Sequence, residues 1–139
     1  MKKVLIIIFG LFAIVSCGKK DVKFEAFSPE AFAYDLGDSW EVNSQVMVKG
    51  FLQFEKDGIY TASIKYSVDL IKPNGEKVQS IFADEKQETK DEAIMDVSLE
   101  AQFELDSSYQ EGSYKIIYKI LDLNSENQTN IEVQLELIK

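Results

Sequence analysis

The sequence has no histidine, no arginine and a single cysteine among its 139 residues. Without His, no imidazole can serve as general base, proton shuttle or metal ligand. Without Arg, no guanidinium fork can hold a phosphate or carboxylate at two points. One Cys excludes an intramolecular disulfide and a multi-thiolate metal site. The 15 cations are all lysines and face 24 acids, for a net charge of −9. That balance argues against nucleic acid, whose phosphates demand clustered cations. Gly-rich phosphate loops and Gly-x-Ser-x-Gly elbows are also missing from the sequence. The length suits a single domain.

What the sequence does have begins with an address. Lys2 and Lys3 precede an uncharged apolar run of twelve residues, Val4 to Val15. A membrane-spanning helix needs roughly 20 such residues. A buried N-terminal helix is the competing reading, but this run is apolar on every side and would have no face for water. Residues 1–16 therefore read as a secretory signal peptide.

The segment Ile14-Val15-Ser16-Cys17-Gly18 resembles the bacterial lipobox, with Ile14 in place of the commoner Leu and Val15 in place of Ala or Ser. The resemblance implies cleavage before Cys17 and a diacylglyceryl group on its thiol, with residues 17–21 as lipidated Cys and short tether. The other reading of the lone cysteine is ordinary cleavage that leaves a free thiol. Several acyl chains anchor firmly, because each buried methylene contributes about 0.8 kcal/mol. Loss of Lys2 and Lys3 would leave 13 Lys against 24 acids, a net charge of −11. Gly18, rather than Asp, after the cysteine implies the outer membrane. The start Cys-Gly-Lys-Lys-Asp resembles lipoproteins of Bacteroidota. Whether the chain would face the periplasm or the cell surface stays open.

Residues 22–139 alternate with period two, which is the signature of half-buried strands. Trp40, Val42, Ser44, Val46, Val48, Gly50, Leu52 and Phe54 form one face of a long run, with Met47 and Phe51 breaking the opposite, polar face. Lys56-Asp57-Gly58 supplies a tight turn. A second run places Tyr60, Ala62, Ile64, Tyr66, Val68 and Leu70 inside and Asp69 outside. Pro73-Asn74-Gly75 is a further turn, followed by a short strand from Val78 to Ala83. Ala93, Met95, Val97, Leu99, Ala101, Phe103 and Leu105 define another inward face; Tyr114 to Ile120 and Ile131 to Leu137 define two more. Residues 22–34 predict a first strand broken at Pro29, as suits a sheet edge. No apolar i, i+3, i+4 pattern is sustained, so no long helix is expected. The expectation is an all-β, seven- to eight-stranded antiparallel sandwich over 22–139.

Gly112-Ser113-Tyr114-Lys115-Ile116 resembles the opening of strand F in immunoglobulin-like domains, a likeness that runs through Asp122 and the closing hairpin. It departs at Gln110, which holds the usual Asp position, and at Ile116, which holds the usual Cys. The resemblance implies an immunoglobulin-like architecture, which by itself assigns no function.

Any catalysis would rest on carboxylates, Lys, Tyr or Ser. Two carboxyls can cleave glycosides when they stand about 5–10 Å apart in a cleft. Here the acids fall on outward strand positions or in loops, so no enzyme, no cofactor and no metal site is expected. Asp122-Leu123-Asn124-Ser125-Glu126-Asn127 spaces its oxygens like a calcium loop, but lacks the Gly and the bidentate Glu of one. Turn chemistry accounts for the same residues. Asp84 to Glu92 reads as a charged, mobile loop. If strands alternate up and down, the loops at 35–40, 72–77 and 106–112 share the end of the sandwich away from the membrane. They hold Asp38, Ser39, Trp40, Asn74, Tyr109 and Glu111, which mix aromatics with short polar groups as binding loops do. Trp40 has a second reading as a core aromatic capping its strand.

The sequence thus points to a non-enzymatic interaction module, held to the membrane through lipid on Cys17 and serving an envelope protein partner. The alternative is a carbohydrate-binding module with Trp40 and Tyr109 as its stacking platform.

Overall fold

The computed structural model describes residues 22–139. The expected signal peptide (1–16) and the expected lipid site and tether (17–21) lie outside the described residues. Eight strands follow one another: β1 (Glu25–Asp35), β2 (Trp40–Lys49), β3 (Phe54–Lys56), β4 (Ile59–Ile71), β5 (Lys77–Lys90), β6 (Asp96–Leu105), β7 (Gly112–Asp122) and β8 (Gln128–Leu137). All pairings are antiparallel. β1, β2 and β6 form a three-stranded sheet, and the other five strands form a second sheet. Strand β4 is the hub of the second sheet. β5 runs along one side of it, while β3 and then β7 share the other side, with β8 beyond β7. β1 comes alongside β8 at one margin of the sandwich, and β5 approaches β6 at the other. The fold is the expected all-β, immunoglobulin-like sandwich.

The core follows from the alternation. Val42, Val46, Val48, Leu99 and Leu105 on one sheet meet Ile64, Val68, Leu70, Ile116, Tyr118, Ile120 and Leu135 on the other, all almost inaccessible to solvent. Each such side chain contributes roughly 1.5–3 kcal/mol when taken out of water. At the start of β7 the Tyr114 hydroxyl donates to the Gln110 carbonyl oxygen at 2.8 Å. That is the tyrosine corner of immunoglobulin-like sandwiches, retained here without the usual Cys and Asp.

Turn chemistry behaves as the residues dictate. Asp57 and Gly58 both have positive φ (53° and 78°), so the two-residue β3–β4 hairpin is a type I′ turn. Asn74 Oδ1 accepts from Glu76 N at 2.9 Å and closes the β4–β5 turn as an Asx motif. The loops at 36–39, 72–76 and 106–111 gather at one end, as Trp40 pairs with Leu105 and Lys72 lies over Tyr109. The turns at 57–58 and 123–127, the 91–95 link and Val22 gather at the other.

Four expectations need correction. The run from Trp40 to Phe54 is not one strand. It leaves the first sheet at Gly50 (φ +76°), where an added Cβ would stand 2.1 Å from the Lys23 carbonyl oxygen. The crossing inverts the expected faces: Phe51 is buried, while Leu52 and Phe54 are exposed. Residues 84–90 are strand, not loop, because β5 continues its pairing with β4 from Asp84 to Lys90. Near the start of β6 the buried residue is Ile94, not Ala93 or Met95, and Met95 is 80% exposed. Finally Asp69, read as an outward residue, is buried. β5 bulges opposite it, and Asp69 Oδ1 accepts from Ser80 N at 2.9 Å at that bulge.

Candidate functional site

The binding-loop residues expected from the sequence are at one end, but they do not form a platform. Trp40 is only 3% exposed and belongs to the core, with the Lys139 ammonium 5.5 Å from its ring centre. Its strand-end position put it between the sheets rather than over them. Tyr109 is half-buried and packs 6.3 Å from Tyr114, under the Lys72 ammonium. Tyr109 shares a shallow depression of about 350 Å³ with Asn74 and Glu111. Asn74 spends its oxygen on the turn, and Glu111 Oε1 accepts from Lys139 N at 2.7 Å. Asp38 and Ser39 lie in the β1–β2 turn, where Leu36 N donates to the Ser39 carbonyl at 2.9 Å. At the same end, the Ser108 hydroxyl and N–H hold the Asp106 carboxyl below its ordinary pKa. These groups are occupied in closing loops.

The calcium-like loop is likewise consumed internally. Asp122 is fully buried. Its Oδ2 accepts from Leu52 N (2.8 Å) and from the Ser125 hydroxyl (2.7 Å), while Oδ1 accepts from Asn124 N (3.0 Å). No cluster of three or more metal-ligating acids occurs among the described residues.

A different surface is built for contact: the outer face of the three-stranded sheet. β1 carries alanines at Ala26, Ala31 and Ala33, which pack against the core. Its aromatic residues point the other way, and Phe32 and Tyr34 are 58% and 56% exposed. Transfer free energy favours the reverse arrangement. A bulge at Ser28–Pro29, with Ser28 at φ 50°, adds one residue between Phe27 and Glu30. The extra residue brings Phe27 to the same side as Phe32 and Tyr34, since an odd separation would otherwise send it to the opposite face. Ser44 holds this bulged segment, its hydroxyl donating to the Glu30 carbonyl at 2.9 Å.

Register across the sheet arranges this face in rows. Tyr34 stands beside Glu41 and Glu104, Phe32 beside Asn43 and Gln102, Glu30 beside Gln45 and Glu100, and Phe27 beside Met47 and Ser98. The two middle rows line an open depression of about 240 Å³. At the lower margin the Lys49 ammonium sits 5.2 Å from the Phe27 ring centre and 3.1 Å from Glu25 Oε1. Underneath, the Tyr66 hydroxyl crosses the core to donate to the Glu100 carbonyl at 2.6 Å. Burial, with the Asp84 charge added, pushes that phenol up to about 12. With the next row, Glu25–Lys49–Asp96, included, Lys49 is the single cation of this face among the described residues, against acids at 25, 30, 41, 96, 100 and 104. The face therefore combines exposed rings with amides and a negative field. Its sequence signal was the Phe-Ala-Tyr alternation in 32–34, but alternation says only that two faces differ, not which one is wet.

No protein-family model matches this sequence, and no curated protein matches it. In structure the chain is similar to a family 123 glycoside hydrolase from Clostridium perfringens, described for glycolipid glycan hydrolysis. The TM-score is 0.47 at 12% identity, and the match covers 71% of this chain and 21% of that one. This chain thus spans about a fifth of that enzyme's length. A likeness at this level says nothing of activity here.

Proposed function

We propose that this chain is a lipid-anchored, non-enzymatic binding module of the cell envelope, held in the outer membrane through Cys17, and that it engages a protein partner through the outer face of β1, β2 and β6. One observation carries the contact surface: β1 turns its alanines inward and leaves Phe27, Phe32 and Tyr34 outward. Solvent-facing aromatics on a regular strand contribute little to folding, whereas rings with few rotatable bonds are efficient contact residues. The surrounding carboxylates favour a neutral or cationic partner surface and repel polyanions at long range.

A second reading, a neutral glycan as ligand, is favoured by the row Phe32–Asn43–Gln102. A ring beside two amides offers stacking together with donors and acceptors for hydroxyls.

The double variant Phe32→Ser/Tyr34→Ser tests the surface. Changes at such exposed positions alter stability by only about 0.5 kcal/mol. We expect the folded variant to lose a stoichiometric partner that the parent chain carries through detergent solubilisation. Retention of that partner, or a parent chain that purifies alone, overturns the protein-partner reading. A glycan array probed with both chains separates the second reading: signal that disappears with the double substitution supports it, and a flat array removes it.

A further inference from the structure

The end of the sandwich where the described chain begins gathers most of the exposed apolar residues, set among exposed charged ones. Val22, Leu52, Phe54, Ile59, Met95 and Leu123 are all exposed there, six of the ten large exposed hydrophobic residues among the described residues. They belong to one tip. Val22, Leu52 and Met95 line a common depression of about 440 Å³. Asn124 Nδ2 donates to the Leu52 carbonyl at 2.9 Å and lies 3.4 Å from the Thr61 carbonyl oxygen. Thr61 pairs with Phe54, and Ile59 closes the adjacent type I′ hairpin. Leu123 N donates to the Ser63 carbonyl at 2.9 Å.

The tip is also braced. Gln53 Nε2 donates to the Ile94 carbonyl (3.0 Å) and Gln53 Oε1 accepts from Ile94 N (2.7 Å). This two-point clip holds the segment carrying Leu52 against the one carrying Met95. Turn and link positions ordinarily take polar residues, and single exposed apolar residues are unremarkable. Six gathered at one end mark a contact surface.

We infer that this apolar tip seats on the bilayer itself and stands the domain upright on the membrane. The inference rests on the lipid-anchored reading above. Chain length selects the occupant. Val22 belongs to the tip and lies five residues after Cys17. At no more than about 3.6 Å per residue, the tip is held within about 18 Å of the acylated sulfur. The 14-residue β5 alone spans about 45 Å, so a lipid on Cys17 brings this end, and not the loops at 36–39, 72–76 and 106–111, to the surface. Five acids at this end, Glu55, Asp57, Asp91, Glu92 and Glu126, outnumber its lysines Lys23, Lys56 and Lys90, so its charge gives no attraction to anionic lipid. The surface that fits is a zwitterionic headgroup layer, entered by apolar side chains to about 5–10 Å. Upright seating points the strands away from the membrane and leaves the aromatic face of β1, β2 and β6 free along the side.

The test uses the full chain, reconstituted into phosphatidylethanolamine–phosphatidylcholine vesicles. A Cys17 that carries the lipid has no free thiol, so Met95→Cys and, at the far end, Asn74→Cys each accept one environment-sensitive nitrobenzoxadiazole label. We expect label at position 95 to shift to the blue and brighten about threefold on vesicles, as interfacial burial requires, while label at 74 stays as in water. Equal, water-like emission at both positions overturns the seating. A shift at 95 that appears in Cys17→Ser protein without lipid and grows with protein concentration also overturns it, and assigns the tip to a second copy. Incorporation of a palmitate analogue is followed in parallel. Label lost in Cys17→Ser keeps the anchor even where the seating fails, whereas no incorporation in the parent chain overturns anchor and seating together.

Discussion

Asp122 Oδ2 accepts the Leu52 backbone N–H at 2.8 Å, joining residues seventy positions apart in sequence. The contact fixes the point where the chain crosses between sheets to the β7–β8 hairpin. It also explains why Asp122 can be fully buried, since both of its carboxyl oxygens accept hydrogen bonds there.

Replacing Asp122 therefore strikes two structures at once. Asp122→Ala removes three hydrogen bonds accepted by the carboxyl and strands the Leu52 N–H, for a loss of about 3 kcal/mol in urea unfolding. Ser125→Ala, which removes one of those donors, loses about 1 kcal/mol. Millimolar calcium leaves the melting temperature of the parent chain unchanged, because the Asp122 oxygens are already occupied.

Gly50 cannot be substituted quietly. Its φ of +76° and the Lys23 carbonyl 2.1 Å from an added Cβ combine strain with a clash against backbone. Gly50→Ala should lower stability by at least about 2 kcal/mol. Limited proteolysis should then cut first around residues 22–24. An unchanged cleavage pattern and melting temperature would falsify this account of the crossing.

Asp69 gives the acid limb a definite sign. Burial acts to raise its pKa, but the Lys119 ammonium 2.7 Å from Oδ2, the Ser80 N–H and the charge of Lys77 outweigh it, so the carboxyl stays below its ordinary 3.8. A lowered folded pKa adds stability that is complete above the unfolded value and disappears as pH falls through the folded one. The stability gap between the parent chain and Asp69→Asn should be constant from pH 7 to about pH 5 and close below about pH 4. Lys119→Met should cost more at pH 7 than removal of an exposed lysine, because among the described residues Oδ2 rests on that ammonium alone.

Two tyrosines of the same strand should answer deletion of their hydroxyls oppositely. Tyr114→Phe loses the bond to the Gln110 carbonyl and about 1 kcal/mol. Among the described residues the buried Tyr118 hydroxyl forms no hydrogen bond of good geometry, because the neighbouring Ser44 hydroxyl donates to Glu30 instead, so Tyr118→Phe should leave stability unchanged or raise it by up to about 1 kcal/mol. At high pH the sign is again fixed. Burial pushes Tyr66 and Tyr118 up to about 12 from 10.0, so they stabilise the fold fully below pH 10 and less as pH climbs toward 12. Tyrosinate absorbance should show these two phenols ionising together with unfolding.

Much of the sandwich was legible because strand alternation is a local property. Val42, Val46, Ile64, Val68, Leu99 and Ile116 announce their faces by period two alone. The opening of β7 was legible through Gly112 and Tyr114, while the bond from Tyr114 to the Gln110 carbonyl came from the structure. The charged run 84–90 was misread as a loop because acids and lysines suit solvent. On an edge strand those same residues are tolerated, and they discourage pairing with another chain.

By itself the sequence determined that the domain is built of strands, where its hairpins turn, and that no imidazole, guanidinium or thiolate cluster operates in it. Those conclusions need only neighbours in the chain and an inventory of side chains. Tertiary structure alone decided which sheet each strand joined and which of its two faces met water. The crossing at Gly50 sent Phe51 inward and Leu52 outward, and the bulge at Ser28–Pro29 lined up three aromatics on one exposed face. A change of sheet or a one-residue bulge reverses every side chain beyond it. The energy that selects such a reversal comes from partners distant in sequence, so no local pattern records it.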